Sequence, residues 1–298
     1  MPNQERINRI RADRWIGYTR ARAVLDRLEE LFTWPDKQRM PNALIIGPTN
    51  NGKSMIVEKF RRAHPVIESE ALPDNLEDPD DLESYKHSLI PVVVMQMPPE
   101  PAVIRFYSVL MAATGWLPYL PQRTRVVELE RTALQRLQSV KARMLVIDEL
   151  HNILAGQSDV RREFLNLLRF LGNQLRIPIV GVGTRDAYLA IRSDDQLENR
   201  FEPLPLPKWQ EGQDLESLLA SFAAALPLRR PSEIATPDMG RYILARTEGT
   251  IGEIARLLTL AAIEAVKTGE ECINAKTLER ANYQSPTERR RTFERALL

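Results

Sequence analysis

Eight consecutive residues, Gly47-Pro48-Thr49-Asn50-Asn51-Gly52-Lys53-Ser54, have the types and spacing to hold a polyphosphate. Gly47 and Gly52 bound a turn whose backbone N–H groups point inward, Lys53 reaches β- and γ-phosphates, and the Ser54 hydroxyl helps hold Mg2+. The G-x-x-x-x-G-K-[ST] pattern arises by accident in roughly one chain in a hundred of this length. The apolar run Ala43-Leu44-Ile45-Ile46 before it and the helix-like Met55–Phe60 after it make accident less plausible still. A second run, Met144-Leu145-Val146-Ile147, ends in Asp148-Glu149. Alone, such acids also read as caps of a following helix. Downstream of a phosphate loop, Asp148 suits the water shell of Mg2+ and Glu149 suits polarising an attacking water. A nucleotide, with Mg2+ beside its phosphates, is therefore the expected ligand.

Those residues need a frame. Apolar spacing predicts an amphipathic helix over 19–33, a strand at 91–97 buried on both faces, helices over 102–114 and 124–140, a strand at 144–149, a helix over 158–175 and a strand at 177–184. Alternating strands and helices point to an α/β fold with a parallel sheet wound on both sides, the phosphate-loop strand lying beside the strand that ends at Thr184. Thr184 reads as a turn or helix cap and also as a polar sensor of the γ-phosphate or attacking water. Arg200 precedes a short Pro-rich strand at 202–206; it either pairs within its own domain or, as in ring-forming ATPases, faces a neighbour's nucleotide. From Trp209 onward strand signals stop, and helices are expected at about 212–226, 237–247, 251–268 and 274–283. The expected divisions are an N-terminal segment 1–18, a nucleotide-binding core 19–207, a small helical lid domain 208–284 and a solvated basic tail 285–298. Residues 14–18 (Arg-Trp-Ile-Gly-Tyr) read either as core packing or as an adenine contact. The acidic stretch 63–85 reads as a solvated insertion.

Composition narrows the class. The chain has 41 Lys and Arg against 40 Asp and Glu, a net charge of +1, which excludes a globally basic DNA-coating protein but not a basic patch. Cys272 is the only cysteine, so no intramolecular disulfide and no cysteine metal cluster can form. His64, His87 and His151 lack metal-ligand spacing. No apolar run approaches the length of a membrane span, and no signal core is evident, so a reducing cytoplasm without membrane attachment is expected.

Phosphate loop, acidic strand end, polar strand tip, arginine before the last strand and helical lid together resemble AAA+ ATPases. The stretches 47–54, Val146-Ile147-Asp148-Glu149-Leu150-His151-Asn152, Val180-Gly181-Val182-Gly183-Thr184 and Thr247-Glu248-Gly249-Thr250-Ile251-Gly252-Glu253-Ile254 look like the TniB/TnsC group of transposition regulators. The likeness runs from about Trp15 to Ala281, and the Gly-Pro-Thr-Asn-Asn-Gly-Lys form is its most specific element. It implies an ATP-dependent, DNA-binding protein that assembles as a homo-oligomeric ring or helical filament on double-stranded target DNA. It further implies a link between a target-selection protein of the TniQ type and the transposase, switched by ATP hydrolysis. By motif, Lys53 and Ser54 bind ATP and Mg2+, Asp148 and Glu149 support hydrolysis, Thr184 is the first sensor and Arg200 the arginine finger. Family DNA contacts follow the second core strand, which implies Arg105, Arg123, Thr124 and Arg125 here; read alone, those residues are solvated charges. Related lids carry arginine directly after Ile-Gly, where this chain has Glu253, with Arg256 the nearest base. A helicase-loader-like or DNA-translocating ATPase is the alternative, and a small-molecule kinase lacks an evident acceptor motif.

Overall fold

The computed structural model describes residues 2–69, 87–116 and 125–296 and divides into two compact units. One comprises residues 24–47 and 53–205; the other comprises 1–23, 48–52 and 206–298.

The first unit is built on a five-stranded parallel sheet in the order β4-β5-β6-β1-β7. Its strands are β1 (Asn42–Ile46), β4 (Val92–Gln96), β5 (Met144–Asp148), β6 (Ile179–Gly183) and β7 (Phe201–Pro205). β5 and β6 are buried at every position, as expected of central strands covered on both faces. Pro203 and Pro205 lie in β7 at one sheet edge, where a strand tolerates residues without a donor N–H. β4 is the other edge strand; Val92 on one face and Val93 and Met95 on the other are buried as expected, while Val94 is half-buried and Gln96 exposed.

Helices α3 (Lys53–Ala63), α4 (Val103–Ala113), α5 (Val126–Ser139), α6 (Ser158–Gln174), α7 (Arg185–Arg192) and α8 (Asp195–Glu198) belong to this unit, as does most of α2 (Thr19–Phe32). Phe106, Tyr107, Leu110, Leu137, Phe164 and Leu171 from α4, α5 and α6 close on Leu44, Leu145 and Ile147 of the sheet. A separate antiparallel pair, β2 (Ile67–Ser69) and β3 (His87–Leu89), flanks residues 70–86; most of the acidic stretch lies outside the described residues.

The second unit is helical: α1 (Asn3–Arg11), α9 (Gln213–Ala225), α10 (Pro237–Thr247), α11 (Ile251–Thr268), α12 (Ala275–Arg280) and α13 (Pro286–Ala296). Ile7 and Ile10 of α1 join Leu215, Leu218, Leu257, Leu258 and Leu278 in one core. Arg6 and Glu271 form a buried, bidentate pair within it. The C-terminal stretch is solvated as expected but is more regular than a tail: α13 is a helix opened by a reciprocal capping box. Ser285 N–H donates to Glu288 Oε2 (2.7 Å), and Glu288 N–H donates to Ser285 Oγ (3.2 Å). Among the described residues no helix is long and apolar enough to cross a membrane.

Gly183 closes β6 where a Cβ would stand 2.7 Å from Ala187 Cβ and 3.5 Å from the His151 backbone N. Neither neighbour is the free end of a flexible chain, so Gly183→Ala should lower unfolding free energy by about 1–3 kcal/mol through overpacking. Urea denaturation of the variant against wild type measures it.

Candidate nucleotide site

Parallel strands that share a register finish together, and this positions the site. Ile46 of β1 pairs with Gly183 of β6, and the Gly47 N–H donates to the Gly183 carbonyl (3.2 Å), so Gly47 and Thr184 leave the sheet side by side. β5 runs alongside β6 and ends at Asp148. Ser54, in the first turn of α3, donates its hydroxyl to Asp148 Oδ2 at 2.8 Å.

Lys53, also in that turn, is buried and donates from Nζ to the Gly47 carbonyl (2.9 Å). Burial pulls its ammonium below the ordinary lysine value, against the opposing effect of Glu149 and Asp148. Glu149 adopts the left-handed conformation (φ 55°), unusual outside glycine and asparagine, and its N–H donates to Asp148 Oδ1 (2.8 Å). Its carboxylate Oε2 lies 3.1 Å from His151 Nε2. The two side chains stand within ion-pair distance of each other. The sequence carried one sign of it, a histidine two residues beyond the acid at the start of the 3-10 turn Leu150–Ala155.

Thr184 stands at the N-cap of α7, but its hydroxyl makes no capping bond; among the described residues Oγ1 is buried without a partner. A buried unpaired hydroxyl is costly, so this atom fits a polar ligand better than a cap.

Arg200 is at the opposite end of the sheet. It precedes Phe201, which pairs with Asn42 at the start of β1, whereas the phosphate loop follows the end of β1. Five strand residues separate the two ends by about 15 Å. Arg200 donates to Asn173 Oδ1 (2.9 Å) and lines a cavity of about 660 Å3 with Trp34, Lys37 and Arg39. It cannot serve the phosphate loop of its own chain.

The loop residues 48–52 are fixed within the helical unit. Asn51 is buried; its Nδ2 donates to the Leu206 (2.7 Å) and Pro207 (3.1 Å) carbonyls, and its Oδ1 accepts from the Ile251 N–H (3.2 Å). Asn50 is left-handed (φ 60°), its carbonyl accepts from the Gly252 N–H (3.0 Å), and its Nδ2 donates to Glu253 Oε1 (3.2 Å). Tyr18 packs edge-on against Trp209 with centroids 5.1 Å apart, and its hydroxyl lies 3.6 Å from where a Cβ on Gly52 would stand. Burial raises that phenol to about 12.

Glu253 is buried, whereas Arg256 is exposed. Burial alone would raise the Glu253 carboxyl, but bonds from Arg289 and Tyr283 overcome it and hold it below the ordinary carboxylate value. Of the residues implied for DNA, Arg105 is exposed on α4 and paired with Glu100 (3.0 Å), and Arg125 is exposed at the start of α5. Arg123 and Thr124 lie outside the described residues.

Among the described residues no group of three or more His, Cys, Asp or Glu side chains is arranged to hold a metal ion. Mg2+ takes hard oxygen ligands and is commonly held by only one or two protein groups. Ser54 Oγ and Asp148 Oδ2, two adjacent hard oxygens, are the donors available.

Residues 6–211, more than two thirds of the chain, match the family described as bacterial TniB protein. The chain belongs to the TniB family. No curated protein sequence matches it. Among solved structures it is similar to the ORC2 protein of Aeropyrum pernix in ADPNP and ADP complexes (14% identity, TM-score 0.58, covering 92% of this chain and 70% of that one). It is also similar to the ORC1 protein of the same organism in complex with DNA (17%, 0.58, 92% and 68%) and to the Thermotoga maritima RuvB Holliday junction branch migration motor (13%, 0.52, 92% and 72%). At these identities the likeness establishes the fold, that of an AAA+ ATPase.

For this TniB-family chain the Asn-Asn pair of the loop has a structural reason. Asn50 tolerates the left-handed turn better than most residues, and Asn51 ties the loop to both the start of the helical unit and α11. Removing the Asn51 side chain strands two carbonyls and one N–H, so Asn51→Ala should cost about 1–3 kcal/mol. Chemical denaturation followed by circular dichroism checks it.

Proposed function

We propose that this TniB-family protein binds ATP with Mg2+ at residues 47–54, oligomerises on double-stranded DNA, and uses hydrolysis to switch that assembly, linking a TniQ-type target-selection protein to the transposase. The observation that carries the reading is the division of polar groups across the sheet. Lys53, Ser54, Asp148, Glu149 and Thr184 gather at one end, and Arg200 stands at the other.

In this reading the loop N–H groups and Lys53 bind the β- and γ-phosphates. Ser54 and Asp148 would hold Mg2+, which would supply positive charge to offset that of the phosphates. Glu149, steadied by His151, orients a water and accepts its proton as that oxygen bonds to the γ-phosphorus and the bond to the β–γ bridging oxygen breaks. Thr184 Oγ1 offers a hydrogen bond to the γ-phosphate or the water. Arg200 of a neighbouring copy supplies the remaining positive charge, so hydrolysis requires assembly. The TniB family match, and DNA in the ORC1 complex to which the chain is similar in fold, support a duplex as the template. Arg105, Arg123, Thr124 and Arg125 are the proposed phosphate contacts, addressing the backbone rather than base edges.

Lys53→Ala should abolish ATP-dependent DNA binding, whereas Glu149→Gln should keep nucleotide, lock the DNA-bound assembly and slow hydrolysis by about 10²–10⁴-fold. Equal DNA affinity of wild type and Lys53→Ala at every ATP concentration would contradict the switch.

Arg200→Ala and Glu149→Gln proteins, each inactive alone, should regain phosphate release when mixed, because a mixed interface joins an intact glutamate to an intact arginine. No recovery in mixtures that still assemble would place the arginine elsewhere. Replacing Arg105, Arg123 and Arg125 together should weaken DNA binding and flatten its salt dependence, as read by fluorescence anisotropy across a salt series.

A further inference from the structure

The helical unit places a carboxylate against the phosphate loop, and the structure shows what it holds. Glu253, in the first turn of α11, is buried and accepts three hydrogen bonds: Arg289 NH2 to Oε1 (2.7 Å), Tyr283 OH to Oε2 (2.9 Å) and Asn50 Nδ2 to Oε1 (3.2 Å). One carboxylate thus joins the C-terminal helix to the phosphate loop. Contact there is close: a Cβ on Gly252 would stand 1.9 Å from Asn50 Oδ1, so glycine is the residue that lets the loop and α11 meet.

The other end of the link is weakly anchored. No residue of α13 is fully buried, and Arg289 is only partly so. Among the described contacts it is held to the rest of the unit by the Arg289 pair and by the Thr287 N–H on Glu248 Oε1 (3.0 Å). An element with few buried apolar contacts opens at low cost. When it opens, the buried Glu253 charge loses its one hydrogen-bonded cation and must hydrate or move. Asn50 is bonded to the same oxygen and follows.

We propose that Glu253 is a positioning residue for the nucleotide loop, and that Arg289 of the C-terminal helix, by clamping it, sets how tightly the loop holds a triphosphate. Docked, α13 keeps Asn50 and the loop backbone in place; displaced, it releases them. Nucleotide affinity is thereby coupled to whatever holds or lifts α13. This rests on residues 47–54 being the triphosphate loop.

Two readouts separate the inference from that premise. Amide hydrogen exchange on nucleotide-free, full-length protein reports loop order without any ligand, and titration with a fluorescent ATP analogue reports affinity. Arg289→Ala should speed exchange at residues 50–52 and 251–252 by about tenfold or more and raise the analogue's Kd about 5–50-fold. Arg289→Lys should recover part of both, and Arg295→Ala, on the same helix, should change neither. Asn50→Ala combined with Arg289→Ala should weaken binding no more than the larger single change, since both break one chain of contacts. Tyr283→Phe, which removes only a hydroxyl, gives the same test should Arg289→Ala fold poorly. Unchanged loop exchange, unchanged Kd or additive effects overturn the proposal. Faster loop exchange in a protein whose wild type takes up no ATP analogue would support the clamp and overturn the triphosphate reading instead.

Discussion

The shared direction of β5, β6 and β1 is the constraint on which the site depends. Because the three strands are parallel and in register, Asp148, Thr184 and Gly47 leave the sheet at one end, and a single bond, Ser54 Oγ to Asp148, ties the first turn of α3 to the end of β5. Parallel strands also send whatever precedes them to the far end. Arg200 comes before β7 and so stands apart from every group in its own phosphate site, although its sequence neighbours pair directly with β1.

Burial sharpens the chemistry at the ends of those strands. Asp148 and Lys53 are both largely removed from water, so each depends on fixed partners: the Glu149 N–H and Ser54 for the acid, the Gly47 carbonyl for the ammonium. Glu149 differs. It is more exposed, its backbone is held in a sparsely populated conformation, and its side chain reaches His151. A group that must meet water benefits from this combination of a rigid backbone and an open carboxylate.

Much of the sheet unit was legible because its signals are local. β-branched runs marked β1, β5 and β6, and apolar spacing marked α2, α4 and α6 to within a residue or two. The Val92-Val93-Val94 run marked β4 as a buried strand but not its place in the sheet; which strand lies at an edge is decided by pairing order, which no single run carries. α13 was missed for another reason. Its arginines suggested solvent, yet Ser285-Pro286-Thr287-Glu288 is a helix-start pattern, with proline at the first position and glutamate three residues after serine. The phosphate-loop residues, by contrast, were readable as a motif, but the work of its asparagines was not. Asn50 and Asn51 bond to residues about two hundred positions away, and only the folded chain shows those partners.

Glu253 gains its meaning from the same long-range contacts. A bare carboxylate beside a loop suited to phosphates would oppose any anion there, and buried without a cation it would favour protonation. Arg289 removes both difficulties, because its guanidinium neutralises the acid while leaving Asn50 bonded to it. Position 253 thus touches Asn50 of the loop and Arg289 near the end of the chain at once. A glutamate there turns the lid's influence on the loop into an indirect one that passes through α13, and it makes the C-terminal helix part of the phosphate loop's support.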